Sequence, residues 1–132
     1  MPSIFSKIVA GDIPAHKVAE DENFLAFLDI NPLVEGHTLV IPKKEVDYLF
    51  DLDDETLAGI NVFSKRVAKG IEKVIPCERI GVTVIGLEVP HAHVHLIPIN
   101  GINDMYFGKK KLSFSQAELA ATAEKIRKAI EN

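Results

Sequence analysis

Apolar and polar positions change their spacing several times along the chain, and each change marks an element. Ser3 heads a run with Ile4, Phe5 and Ile8 on one side and Gly11 beyond it, which predicts a short helix over residues 3–10 capped by the serine hydroxyl. Residues 17–21 and 23–29 predict the two strands of a hairpin, with Asp21-Glu22-Asn23 as turn chemistry. Asn31-Pro32 breaks the second strand, and Gly36 precedes a third β-rich run, residues 37–42. Asp53-Asp54-Glu55 then opens a long helix. Asp53 serves as its cap and the acidic residues lie at its positive end. Leu57, Ile60, Val67, Ile71 and Val74 form its apolar stripe, and Lys65, Arg66, Lys69 and Lys73 gather toward its C-terminal half. Residues 79–85 and 92–99 read as the last strands, separated by Gly86-Leu87-Glu88-Val89-Pro90. Ser115-Gln116-Ala117-Glu118 is a capping box opening a final helix that buries Leu119, Ala123, Ile126 and Ile130. Local hairpins without strict βαβ alternation predict an α+β fold around an antiparallel sheet.

Length changes this picture only by confining it: 132 residues fit one domain, taken as 1–132. With 47% apolar and 26% charged residues the chain is of ordinary globular composition. A net charge of −4 lacks the basic surplus that a nucleic-acid polymer demands, but a small anionic ligand remains compatible with it. Cys77 is the single cysteine, which excludes an intramolecular disulfide and a cysteine zinc knuckle. The N-terminal apolar stretch is too short for a signal peptide, and no window approaches the roughly 18 apolar residues of a membrane span, so no membrane partner and a cytoplasmic location are expected.

The chemistry concentrates in His91-Ala92-His93-Val94-His95-Leu96-Ile97. Strand alternation puts three imidazoles on one face and Ala92, Val94 and Leu96 on the other. Three readings compete. A solvated row without function would be a chance clustering of a scarce residue. A metal site is possible for two neighbours, but same-face residues are about 6.6–6.8 Å apart along a strand, so the outer pair is too far apart to share one zinc. A third ligand would have to come from His37, His16 or Glu88. In the third reading His93 is a nucleophile flanked by imidazole donors, an arrangement suited to a phosphoryl centre.

The row matches the His-φ-His-φ-His-φ-φ signature of the histidine triad family, and further stretches resemble that family: Ile4-Phe5-Ser6-Lys7-Ile8, Gly11-Asp12-Ile13-Pro14, Ala26-Phe27-Leu28-Asp29-Ile30-Asn31-Pro32 and Gly36-His37-Thr38-Leu39-Val40-Ile41-Pro42-Lys43-Lys44. The resemblance spans roughly residues 3 to 99. It implies an α+β fold with a five-stranded antiparallel sheet, a long central helix and a C-terminal helix, pairing into a homodimer. It implies hydrolysis of nucleoside phosphoramidates or related adenylyl conjugates through a nucleotidyl-His93 intermediate, with no cofactor. A purine nucleotide would be the bound partner. His95 and His37 would contact the phosphate, and His91 would support them. Asp29 would bind the ribose hydroxyls beside Asn31, and Ile4, Phe5, Ile8, Phe27 and Ile30 would sandwich the base.

The chain also departs from the family's pattern. Relatives often carry Gly-Gln-Ser or Gly-Gln-Thr before the triad, where this chain has Gly86-Leu87-Glu88. Leu87 cannot hydrogen-bond. Glu88 is either a carboxylate that attracts a cationic leaving group or a rim residue facing water. The loop before the triad is short, which puts the family's backbone contacts to ribose there in doubt. Ser6 stands where some members have a zinc-binding cysteine. A dinucleoside polyphosphate hydrolase or nucleotidyl transferase, and a nucleotide-binding interaction module with weak activity, are the alternatives. Lys109-Lys110-Lys111 reads as a solvated run or as a rim that guides phosphate.

Overall fold

The computed structural model describes residues 2–131. Its elements follow the sequence pattern: α1 (Ile4–Ala10), β1 (Lys17–Glu20), β2 (Phe24–Leu28), β3 (Thr38–Pro42), α2 (Asp54–Val74), β4 (Arg79–Thr83), β5 (Val94–Ile99) and α3 (Gln116–Glu131). The strands form one antiparallel sheet in the order β1-β2-β3-β5-β4.

The predicted caps are made by the residues named for them. Ser3 Oγ accepts from Ser6 N at 3.0 Å, and Gly11 closes α1 with φ 86°, a left-handed conformation that glycine adopts without strain. Asp53 accepts from Thr56 N at 2.7 Å, at the head of α2. In α3 the box is reciprocal: Ser115 N donates to Glu118, and Glu118 N donates to Ser115 Oγ. In the hairpin turn, Asp21 Oδ1 accepts from the amides of Asn23 and Phe24.

Both faces of the sheet are covered, which is why every residue of β2 and β3 is buried. On one face Phe24, Ala26, Val40, Val94 and Leu96 pack against Ile60, Phe63, Val67 and Ile71 of α2 and Leu119, Ala123 and Ile126 of α3. On the other, Leu25, Phe27, Leu39 and Ile41 pack under Phe5 and Ile8 of α1. Burying each such side chain contributes about 1.5–3 kcal/mol. His95 lies opposite Leu39 in the β3–β5 ladder, so the triad lies on the α1 face. β4 leaves an open edge with Val82 exposed.

Two strands are shorter than predicted. β4 stops at Thr83, and β5 starts at Val94, so His91 and His93 precede the regular strand. Continuing the β3–β5 register would set Ala92 opposite Pro42, which has no N–H to donate. Ala92 N bonds instead to Val46 O at 2.7 Å, and the Pro42 carbonyl is taken by the ring of His91.

Candidate active site

Each imidazole of the site has a proton position that its partners dictate. His91 Nε2 lies 2.7 Å from Pro42 O, and a carbonyl only accepts, so the proton is on Nε2 and Nδ1 accepts from Ser3 Oγ at 2.8 Å. His93 Nδ1 donates to His91 O at 2.8 Å, which leaves the lone pair of the neutral ring on Nε2. Leu33 N donates to His37 Nδ1 at 3.1 Å, so His37 carries its proton on Nε2 and donates it to His95 Nδ1 at 2.9 Å. His95 in turn holds its proton on Nε2. The outcome is a pair of unlike neighbours, a lone pair on His93 and an N–H on His95, with ring centroids 5.0 Å apart.

Burial keeps the supporting rings neutral. His37 is 1% exposed, and burial first, then the neighbouring His95, lower its pKa to about 3. Burial, then His93, lowers that of His95 to about 4. Burial also lowers the pKa of His91. Asp29 moves the other way: burial raises its pKa, opposed by the hydrogen bond its Oδ1 accepts from Asn31 N at 2.9 Å.

Two cavities open on this cluster and share Asp29, Glu88, His93 and His95 in their walls. One, of about 280 Å³, is lined by Ile4, Phe5, Ile8, Phe27 and Ile30 together with Asp29, Glu88, His93 and His95. All five apolar residues named from the sequence therefore line one cavity, with the carboxylate and two of the histidines at its border. The other, about 320 Å³, is lined by Asp29, Asn31, Gly86, Leu87, Glu88, His93, His95, Phe107 and Lys111. Phe5, in the wall of the first, lies edge-on to Phe27 at 5.5 Å and to His93 at 5.1 Å. Sequence reasoning placed His37 on the phosphate, whereas the structure sets it behind His95, lining neither of these cavities. Phe107 was missed. It lies 4.9 Å from His95 and 6.2 Å from His37, edge-on to both, and only the return of the chain after β5 brings it there.

Asp29, His37 and His95 gather three potential ligand atoms within 4.8 Å. The donor directions argue against a metal there. A metal-bound histidine normally donates its second N–H, but His37 Nδ1 accepts from a backbone amide, so ligation through Nε2 would require an imidazolate. The residues around Ser6 do not fit a structural zinc either. Ser3 N and Ser6 Oγ both donate to Glu45 Oε1 at 2.6 Å, holding its pKa down to about 2, and Ser3 Oγ bonds to His91. Protonated alcohols are not among the usual zinc ligands, and these groups satisfy one another. The network instead ties α1 to the triad. Ser3→Ala removes a cap and leaves a buried imidazole acceptor without its donor, so urea unfolding should show a loss of about 2–3 kcal/mol. A variant as stable as the parent would contradict this linkage.

An antiparallel sheet thus presents an oriented histidine cluster beside an apolar cleft and a carboxylate. The chain belongs to the HIT family: the HIT domain profile matches residues 10–101. It is 40% identical over 129 residues to the adenosine 5'-monophosphoramidase of Schizosaccharomyces pombe, covering 96% of each chain. Among solved structures, a hypothetical histidine triad nucleotide-binding protein from Sulfolobus tokodaii superposes with a TM-score of 0.83 at 31% identity, covering 97% of this chain and 91% of the other. A Zn-bound histidine triad family protein from Mycobacterium smegmatis also gives 0.83, at 30% identity, covering 97% and 92%. Among the described residues no helix is long and apolar enough to cross a membrane.

Proposed function

We propose that the protein cleaves nucleoside phosphoramidates or related adenylyl conjugates by nucleotidyl transfer to His93 and then to water. The observation that carries this reading is the orientation of His93. Its Nδ1 proton is held by the His91 carbonyl, and Nε2 belongs to a ring lining both cavities. The base would occupy the apolar cleft, and Asp29 would accept from the ribose hydroxyls. His95 Nε2–H would donate to a non-bridging phosphate oxygen, held in place by His37. His93 Nε2 attacks the α-phosphorus, the bond to the leaving nitrogen breaks, and the amine departs with a proton drawn from water. A second water then attacks phosphorus, the bond to His93 breaks, and the proton this water sheds neutralises the hydroxide left by the first. The nucleoside monophosphate leaves and the neutral imidazole is restored. The name of the fission yeast relative, an adenosine 5'-monophosphoramidase, supports the substrate class.

Intact-protein mass spectrometry after rapid mixing with an adenylyl phosphoramidate should show a transient nucleotidyl adduct, and turnover should persist in chelator. Binding without adduct or turnover would instead favour an interaction module. Leu87, almost fully exposed and without a side-chain group that can hydrogen-bond, is the observation that favours that second reading. Loss of turnover in chelator would sink the metal-free mechanism.

A further inference from the structure

The segment that follows β5 begins at the end of the family match and returns across the histidines. Asp104 Oδ2 accepts from the amides of Asn100 and Gly101 at 2.8 and 3.2 Å, fixing a short turn at Ile102–Met105. That turn sits tight on β4, where a Cβ added at Gly81 would come within 2.7 Å of Met105 Sδ. At the far end Leu112 N donates to Pro32 O at 2.8 Å, which pins the segment beside the turn that carries Asp29 and Asn31. Between these anchors Phe107 covers His95, and Lys111 Nζ lies 5.6 Å from the centre of the Phe107 ring while donating to its carbonyl at 2.5 Å.

Charge gives this arrangement a purpose. The histidine cavity is lined by two carboxylates, Asp29 and Glu88, and among the described residues by one lysine, Lys111. His95, also in the wall, is neutral near pH 7. A nucleotide phosphate entering this cavity meets two negative groups, and in a partly desolvated site each opposes it. The lysines and arginine of α2 cannot compensate, because Lys65, Arg66 and Lys69 line a separate groove between α2 and α3. Lys111 is close enough to act on Asp29 and on His37 electrostatically.

We infer that the segment across residues 101–112 forms the phosphate-side wall of the site, and that Lys111 swings from the Phe107 carbonyl to bind the phosphate and confers preference for nucleotides over nucleosides. This rests on the nucleotide reading above and adds a determinant beyond the triad. A four-carbon stem lets the ammonium move between the two acceptors without moving the backbone.

Calorimetry of the wild type, Lys111→Met and Lys111→Arg with AMP and with adenosine tests it. Lys111→Met keeps the stem and removes the charge. It should weaken AMP about 10-fold, the loss of one charge-assisted hydrogen bond, and leave adenosine unchanged. Lys111→Arg should retain most of the AMP affinity, and added salt should weaken AMP less in the Met variant than in the wild type. Unchanged AMP affinity in Lys111→Met would overturn the inference and leave the nucleotide reading intact. Equal losses for AMP and adenosine would also overturn it, making the segment a structural wall only. A wild type that binds neither probe would remove the nucleotide reading and Lys111's role together.

Discussion

Replacing His93 with Ala is expected to lower turnover of an adenylyl phosphoramidate by on the order of 10⁴-fold or more, as loss of a covalent nucleophile does when no neighbour can substitute. His95 cannot take over, because its Nδ1 lone pair faces His37 and its Nε2 carries the proton. His91 cannot either, since both of its nitrogens are engaged, by Pro42 O and Ser3 Oγ. Nucleotide affinity should change far less, because the apolar cleft and Asp29 are contributed by α1, β2 and the turn after it. Pre-steady-state adduct formation and equilibrium binding of AMP, measured on the same preparation, separate the two quantities. Near-normal turnover with the ring removed would end the covalent mechanism. The variant also loses the packing of His93 on Phe5, so its fold should be verified by near-ultraviolet circular dichroism.

The second large effect concerns acid. His37 and His95 are held neutral in the folded protein with pKa values of about 3 and about 4, against 6.5 when exposed. The unfolded chain therefore binds more protons than the folded one as pH falls below 6.5, and linkage makes stability fall with pH through that window. Each histidine contributes up to ~1.4 kcal/mol per pH unit until its folded value is reached, near pH 4 for His95 and pH 3 for His37. Asp29 has the opposite sign: burial raises its pKa, which favours the folded state as pH falls and offsets part of the decline from the two histidines. Urea unfolding should thus show a steep decline between pH 6.5 and 4.5. The slope should flatten in His37→Gln, whose amide can still accept from Leu33 N and donate to His95. A stability that stays level from pH 7 to 5 would mean that these rings are not buried neutral.

How much of this was legible without coordinates depends on the range of each interaction. Caps, turns and periodicities are local, and Ser3, Gly11, Asp53 and the box at Ser115 act within a few residues of themselves. The start of β5 differs from the expected residue 92 for a non-local reason: continued pairing would meet Pro42, some fifty residues from the triad in sequence. The apolar stripe of α2 held at Ile60, Val67 and Ile71, but the sequence reading left out Phe63, which packs on Phe24 at 5.6 Å.

The sequence alone determined the element order, the α+β class and the shared face of the three histidines, because alternation and capping are properties of neighbouring residues, whereas only the family resemblance joined Asp29 and the apolar residues of α1 and β2 to them. It could not decide which nitrogen of each ring carries the proton, since the partners that dictate it, Pro42, Ser3, Leu33 and the paired histidines, come from separate stretches of chain. Nor could it tell a solvated lysine run from the wall of a cavity. Only the return of residues 101–112 over His95, anchored at Asp104 and Pro32, places Phe107 and Lys111 beside the triad. Proton positions and net charge within a site are sums over groups that meet only when the chain is folded.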